Sequence, residues 1–189
     1  MGKNRTVFMT VFVAMFAAVG TIASWISIPM PSGVPVTLQT FGMALIGYTL
    51  GYRYGPLSVA VYVALGAVGV PVFSGFMGGV GKIAGPTGGF IWGFIFMALF
   101  CGLIRMKVFN TWRSLPRTVL AMVFGMTGLA ACHVLGITQY FLVNGKGLSF
   151  GGAAMLVSVP YLLKDILSVA AAWFASCAAT ALMNKVRRD

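Results

Sequence analysis

Apolar residues dominate six segments of the chain, and shorter polar or glycine- and proline-rich stretches separate them. The segments cover residues 6–28, 38–50, 56–70, 89–104, 118–143 and 153–183. A helix of about 20 apolar residues crosses a bilayer, and a spanning segment must satisfy its backbone hydrogen bonds internally. The pattern therefore predicts an all-α membrane protein with six transmembrane helices, built as a single domain over residues 1–189.

Two of the connections between these segments are unusual. Residues 29–35 contain three prolines, which a helix cannot accommodate in series, and residues 71–89 are rich in glycine. Tight turns between short helices would explain both stretches. Loops as long as the second are more often functional or disordered, so we expect a binding role there, with the turn interpretation left open.

Composition supports the membrane class. The chain is 59% hydrophobic and 8% charged, whereas about 25% of residues are charged in a soluble domain. A formal net charge of +11 is a feature of nucleic-acid-binding proteins. The basic residues are, however, divided among the ends of apolar segments, which favours membrane topology and argues against nucleic acid as a partner.

The positions of the basic residues also predict an orientation. With the amino terminus inside, ten of them lie on the cytoplasmic side: Lys3, Arg5, Arg53, Arg105, Lys107, Arg113, Arg117, Lys185, Arg187 and Arg188. Only Lys82 and Lys146 lie outside, and Lys164 lies near membrane depth. By the positive-inside rule, both termini are expected in the cytoplasm. Both unusual loops then lie outside, beside the start of the last segment.

Only two acidic residues occur in the chain. Asp189 is the last residue and is expected to contribute little, whereas Asp165 lies within the last apolar segment. An ionisable side chain at membrane depth costs roughly 2.5–3.5 kcal/mol on insertion scales and usually faces a cavity or a partner. Asp165 is therefore predicted to mark the functional region.

Enzymatic and metal chemistry find little support in the sequence. Residues 145–149 lack the spacing of a phosphate-binding P-loop. His133 is the only histidine, and we interpret it as a packed or hydrogen-bonded residue; with one internal acid, no Ser–His–Asp, metal-ligand or paired-carboxylate arrangement is expected. Cys101, Cys132 and Cys177 are isolated and are interpreted as packing residues. We expect no enzyme and no cofactor.

Four motifs carry a resemblance to a known family. They are IPMP at 28–31, VPVTLQT at 34–40, GVPVF at 69–73 and GPTGGF at 85–90. In this order they resemble the BioY family, the biotin-specific substrate-binding subunits (S components) of energy-coupling factor transporters. Asp165 also falls where that family has an aspartate in its last helix.

The resemblance implies an S-component-like bundle in the bacterial cytoplasmic membrane that captures biotin from outside. It also implies a membrane coupling subunit (the T component) and cytoplasmic ATP-binding-cassette ATPases as partners. In S components an Ala-x-x-x-Ala pattern on the first helix packs against the coupling subunit, and Ala14 and Ala18 fit that pattern. Packing within the chain is the alternative for these two alanines.

Biotin's chemistry assigns expected roles to individual residues. A buried carboxylate suits the two ureido N–H groups through charge-assisted hydrogen bonds, and we assign that role to Asp165. Phe73, Trp92 and Tyr161 are candidates to pack on the rings, since small-molecule pockets are mostly apolar. Ordinary core aromatics remain the alternative for each of the three.

The outer loops offer further candidates. Lys82 could meet the carboxylate of biotin, with Gly78 and Gly79 allowing close approach of the backbone; a solvated loop lysine is the alternative. Gln39 and Thr37, at the end of the proline-rich loop when it is taken over residues 29–39, are candidates for polar lining or for part of a lid.

The last segment departs from the family pattern. The family commonly has Gly-Asp-x-x-Lys, but here Lys164 replaces the glycine and Ser168 stands at the lysine position. A residue adjacent to Asp165 points about 100° away from it on a helix. Either Lys164 reaches round on its flexible stem, or it serves another partner such as lipid headgroups.

Two other functions remain open at this point. One is an S component for a different vitamin. The other is a membrane assembly protein whose glycine motifs serve only for helix packing and which binds no ligand.

Overall fold

The computed structural model describes residues 2–106, 114–144 and 147–186, with side chains for 7–106, 115–144 and 147–180. Several basic residues used above to predict the orientation lie outside the described residues, as does Asp189: Lys107, Arg113, Lys146, Arg187 and Arg188. The elements in chain order are α1 (Gly2–Trp25), β1 (Ser27–Ile28), β2 (Val36–Thr37), α2 (Gln39–Ala67), α3 (Val80–Ala84), α4 (Gly88–Leu103), α5 (Ser114–Asn144), α6 (Phe150–Val157) and α7 (Val159–Val186).

Helix α2 is the centre of the bundle. It packs against α1, α4 and α7, and α4 packs in turn against α5. The main core lies between these helices and includes the fully buried Tyr48, Tyr62 and Met97. A second, smaller cluster around Tyr140 and Val157 lies beneath the β1–β2 connection. The space where the two clusters meet is the site described below.

The predicted segments 38–50 and 56–70 are the two halves of α2. Gly51 interrupts them with φ 79° and ψ 177°, a conformation that glycine adopts readily. The break frees the carbonyl of Tyr48, which accepts a hydrogen bond of 2.7 Å from Arg105 Nε. Arg105 also contacts the hydroxyl of Thr180. One arginine thus ties the broken helix and α7 to the end of α4.

The last predicted segment is divided in two, which corrects the prediction of one continuous helix over 153–183. Ser149 caps α6 by accepting the N–H of Gly152. Ser158 then leaves the helical conformation, with φ −125° and ψ −58°. Pro160 follows in the first turn of α7, where a proline's missing N–H costs nothing. The break matters for function because Ser158 contacts His133, as shown below.

The two unusual loops contain regular structure that the sequence did not predict. In the first, β1 and β2 pair antiparallel, with Ser27 opposite Thr37 and Ile28 opposite Val36. In the second, α3 forms a single short helix. The fold is therefore mostly helical, with one small hairpin added to the predicted all-α bundle.

Three of the described helical stretches are long and apolar enough to cross a membrane: Val7–Trp25, Leu115–Asn144 and Val159–Thr180. Helix α4 is equally apolar but shorter. By length and composition these stretches identify an integral membrane protein.

Glycines allow α4 to approach both of its neighbours closely. A Cβ atom on Gly47 of α2 would lie 2.5 Å from the carbonyl oxygen of Ala98, and one on Gly93 would lie 2.6 Å from Cys132 Cα. Glycine at these positions therefore lets helix backbones meet, as small residues do at membrane helix interfaces. Gly47 and Gly93 therefore serve the packing of α4 against α2 and α5.

We expect Gly93→Ala to destabilise the protein by roughly 1–3 kcal/mol, because the added methyl group forces α4 and α5 apart. The measurement is the midpoint of thermal unfolding in detergent. Gly151→Ala is the matched control, since the nearest atom to its new Cβ would be 3.9 Å away. Equal midpoints for the two variants would contradict this account of α4–α5 packing.

Candidate functional site

A cavity lies at the end of the bundle where the two unusual loops meet the start of α7. It contains about 610 Å³ of empty space, a volume that includes open solvent at its mouth. Its lining consists of Val34, Pro35, Thr37, Gln39, Thr40, Phe73, Ser74, Lys82, Thr87, Phe90, Ile91, Phe94, Leu129, Cys132, His133, Val157, Tyr161, Lys164 and Asp165. Most of the wall is apolar, with a small group of polar and charged side chains.

Asp165 is the centre of that polar group. It lies on α7 and is 4% exposed. Its Oδ2 is 3.2 Å from His133 Nε2, and its Oδ1 is 2.5 Å from Lys164 Nζ. Thr40 of α2 lines the cavity beside it. A buried carboxylate is stable only with such partners, and here they come from three helices.

Lys164 reaches round the helix toward its neighbour. Its ammonium contacts the carboxylate of Asp165 and also donates a hydrogen bond of 2.8 Å to the carbonyl of Thr37. The long flexible stem of lysine makes this possible although the Cα–Cβ bonds diverge by about 100°. Of the two alternatives given above, the first describes this structure. Ser168, at the family's lysine position, is buried but lies outside the cavity lining.

His133 belongs to the site, and sequence reasoning missed it. Its Nδ1 is 2.7 Å from the hydroxyl of Ser158, and its Nε2 faces Asp165. The interpretation of His133 as a hydrogen-bonded residue is therefore confirmed, and one of its partners is the carboxylate of Asp165. The signal for His133 in the sequence is the same as for Asp165: an ionisable residue inside an apolar segment.

Ser158, His133 and Asp165 form a continuous series, so the expectation that no Ser–His–Asp arrangement could be built is wrong. The order resembles that of a hydrolytic triad. In a triad, however, the serine faces the substrate, whereas Ser158 is 5% exposed and does not line the cavity. Asp165, at the other end of the series, does line it. The arrangement therefore suits the holding of a carboxylate rather than nucleophilic attack.

The β1–β2 connection is fastened over the cavity by residues of α5 and α7. Tyr161 donates a hydrogen bond of 2.6 Å to the carbonyl of Val34, and its hydroxyl lies 2.8 Å from that of Ser32. Tyr140 contacts the carbonyl of Ser32 at 3.3 Å. Together with the bond from Lys164 to Thr37, these contacts make the hairpin one wall of the cavity.

Gln39 is held by its neighbours at the start of α2. Its side-chain amide donates to the hydroxyl of Tyr62 at 2.9 Å and accepts from the hydroxyl of Thr37 at 3.1 Å. The Tyr62 hydroxyl also contacts Ser24 of α1 at 2.8 Å. Gln39 therefore presents a fixed polar edge to the cavity.

The glycine-rich loop contributes Phe73 and Lys82. Phe73 is fully buried and packs on Tyr62, with ring centroids 5.5 Å apart, so it is a core residue and a cavity wall together. Lys82 is partly exposed at the loop end, and burial lowers its pKa below the ordinary value. Among the described residues no carboxylate pairs with it.

Gly78 and Gly79 shape this loop but do not line the cavity. A Cβ on Gly78 would lie 2.4 Å from the carbonyl oxygen of Val70, and Gly79 has φ 95°. Both glycines are therefore required by the path of the loop backbone. The predicted approach of their backbone to the ligand does not fit this cavity.

The prediction that Trp92 lines the ligand site is corrected by the structure. Its side chain is 46% exposed and lies outside the cavity lining, whereas Ile91 and Phe94 of the same helix face inward. Each step along a helix turns the side chain by about 100°, so Trp92 points away from the site. Phe90 takes the place on α4 that the sequence assigned to Trp92.

Ala14 and Ala18 are both exposed on the outer surface of α1. Exposed apolar residues flank them, including Val11, Met15 and Ile22. The alternative of packing within the chain does not describe these two alanines in this structure.

Comparison with known proteins identifies the family and the fold. The sequence matches the BioY family over residues 1–185. A biotin transporter BioY of Thermotoga maritima is 37% identical over 159 residues, covering 84% of this chain and 87% of that protein. A biotin transporter BioY of Rhodobacter capsulatus is 35% identical over 177 residues, covering 89% and 88%.

A solved structure shares the fold. It is the S component for biotin from an ECF-type ABC transporter, and it superposes with a TM-score of 0.79 over 100% of this chain and 95% of that one, at 22% identity. The helical bundle therefore has the S-component fold. Fold and sequence together establish that the chain belongs to the BioY family.

Proposed function

We propose that this protein is the biotin-binding membrane subunit of an ECF-type vitamin uptake transporter, and not an enzyme. It captures biotin from outside for ATP-driven import by partner subunits. The observation that carries the proposal is the apolar cavity built around one buried carboxylate, Asp165, in a member of the BioY family.

The ureido ring of biotin binds at Asp165. A carboxylate accepts hydrogen bonds at about four lone-pair positions, and His133 and Lys164 engage one position on each oxygen. The remaining positions are available to the two ureido N–H groups. The ammonium of Lys164, beside the same carboxylate, is a donor for the ureido carbonyl oxygen.

The apolar parts of biotin pack on the cavity walls. Phe73, Phe90, Phe94 and Tyr161 supply aromatic surface, and Val157 supplies aliphatic surface. These side chains are held by the bundle and by the hairpin contacts, so the ligand meets a wall that is already ordered. Preorganisation of this kind raises affinity by reducing the entropy lost on binding.

The tail carboxylate of biotin binds at Lys82. Two lysines and one carboxylate line the cavity, which leaves an excess of one positive charge when His133 is neutral. A monoanionic ligand neutralises that excess. It also offsets the cost of burying the Lys82 ammonium, the cost that lowers its pKa.

The membrane arrangement follows from the distribution of charge. We propose six spans, the two halves of α2 and the shorter α4 completing the three long helices. Both termini then lie in the cytoplasm and the cavity opens outward, in the cytoplasmic membrane of a bacterium. The basic residues concentrated at the opposite end from Lys82 support this orientation.

Import requires partners, because the described helices contain no nucleotide-binding motif. We propose a membrane T component that docks on the exposed Ala14–Ala18 face of α1, and ATP-binding-cassette ATPases beneath it. Two small residues four positions apart let a partner helix approach closely.

Isothermal titration of the detergent-purified protein with biotin tests the proposal. We expect saturable heat at micromolar concentrations, and no competition by thiamine or riboflavin. Heat with one of those vitamins but not with biotin would indicate an S component of different specificity. No heat with any of them would favour an assembly protein and overturn the proposal.

We expect Asp165→Asn to weaken biotin binding by roughly tenfold to a hundredfold, the usual loss for a hydrogen bond to a charged group. The unfolding midpoint should show that the variant remains folded. Asp189→Asn, which removes the other acidic residue of the chain, is the matched control and should bind like the wild type. Unchanged affinity in Asp165→Asn would refute this placement of the ureido ring.

We expect Ala14→Trp to retain biotin binding in detergent but to abolish ATP-driven uptake in cells, because the indole prevents close approach of the coupling subunit. Ala130→Trp, at an exposed alanine of α5, is the control and should support normal uptake. Normal uptake by the Ala14 variant would exclude this face of α1 as the docking surface.

A further inference from the structure

His133 contacts two polar groups on opposite sides of its ring and is itself 6% exposed. We propose that His133 is a positioning residue: it holds Oδ2 of Asp165 and so fixes the carboxylate in its ligand-binding orientation before the ligand enters. This inference rests on the proposed function, since it concerns the same site, and it assigns to α5 a part in recognition that the sequence did not indicate.

The hydrogen-bond series determines the tautomer of His133. Lys164 already balances the charge of Asp165 at 2.5 Å, so a second buried cation would leave the cluster with an uncompensated charge. We therefore assign a neutral imidazole. Its Nδ1 accepts the hydroxyl proton of Ser158 at 2.7 Å, and the proton of the ring then resides on Nε2, which faces Asp165 at 3.2 Å.

Packing fixes the plane of the imidazole. Phe90 lies edge-to-face on it, with ring centroids 5.8 Å apart and an interplanar angle of 89°. Phe90 in turn packs directly against the backbone of Gly136, so closely that a Cβ atom added to this glycine would lie only 2.3 Å from the Phe90 ring. This contact restricts the Phe90 side chain. The break between α6 and α7 places Ser158 at the other edge of the imidazole. These contacts hold the imidazole in one orientation, and its Nε2 then holds the carboxylate of Asp165 in one orientation.

A fixed carboxylate matters because an aspartate side chain on a helix has several accessible rotamers. Lys164 has a long, flexible stem and is partly exposed, so its ammonium does not restrict the Asp165 carboxylate to one rotamer. His133 is rigid and buried, and its contact comes from a different helix. Of the two partners, His133 is therefore the one able to hold the carboxylate still, as outer partners hold metal-binding side chains.

Three substitutions of His133 separate positioning from packing. The amide of His133→Gln reaches as far as Nε2 and keeps a donor for Asp165, whereas His133→Asn reaches only as far as Nδ1 and keeps polarity without that contact. His133→Phe keeps the ring and removes both contacts. We expect the Gln variant to bind biotin within about threefold of wild type, and the Asn and Phe variants about tenfold or more weakly.

A second measurement needs no ligand. Both acidic residues of the chain are aspartates. In the Asp189→Asn variant, Asp165 is therefore the one remaining aspartate. Labelling the aspartate side-chain carboxyl with ¹³C then gives a single carboxylate resonance, that of Asp165. Without biotin, we expect this resonance to move in the Asn and Phe variants and to stay near its wild-type position in the Gln variant.

The two measurements distinguish the possible failures. An Asp165 resonance unaffected by all three substitutions, or an Asn variant that binds biotin as well as the folded Gln variant, would overturn the positioning role. If the wild type fails to bind biotin, the proposed function fails, and the resonance alone still decides whether His133 holds the carboxylate. Unfolding midpoints of the variants establish that each comparison is made on folded protein.

Discussion

The structure depends on the stabilisation of one carboxylate at membrane depth. Asp165 cannot remain ionised in an apolar bundle without compensation, and the compensation is assembled from separate elements. Lys164 comes from the same helix and His133 from α5, and Thr40 of α2 lies close by. Because α2, α5 and α7 must all be in place, the polar centre of the site and the tertiary fold form together.

The same contacts connect the site to its entrance. Lys164 holds Asp165 with one side of its ammonium and the backbone of β2 with another. Tyr161, one turn earlier on α7, fastens the hairpin at Val34. Helix α7 therefore supports both the base of the cavity and one wall of its mouth. A ligand that changes the partners of Lys164 acts directly on the hairpin, which provides a physical path from occupancy of the site to the loops at this end of the bundle.

The sequence predicts the class of protein, the helical segments and the importance of Asp165, because hydropathy and the cost of a buried charge are properties of local composition. The motifs add Phe73 and Gln39, the glycine-rich loop adds Lys82, and the start of the last segment adds Tyr161. All four residues line the cavity. The prediction that Trp92 lines the cavity is wrong because α4 is apolar on every face, so its hydropathy pattern does not show which side faces inward.

The remaining features depend on contacts between residues far apart in the chain or on weak local signals. His133 lies 32 positions before Asp165 in the chain, and nothing in the spacing indicates that α5 brings the two together. The reach of Lys164 is a matter of rotamer. The break at Ser158 did leave a trace, since Pro160 favours the first turn of a new helix. The break at Gly51, in contrast, leaves no trace in the sequence. Glycines are frequent throughout the chain, so nothing indicates that this one has a positive φ.

The central claim is that biotin is recognised through the single buried carboxylate. Protein labelled with ¹³C at the aspartate carboxyls contains two such side chains, Asp165 and Asp189, so a titration with biotin observes each directly. The account predicts that the Asp165 resonance shifts in proportion to occupancy while that of Asp189 stays fixed. Saturating biotin that leaves the Asp165 resonance unmoved would contradict it.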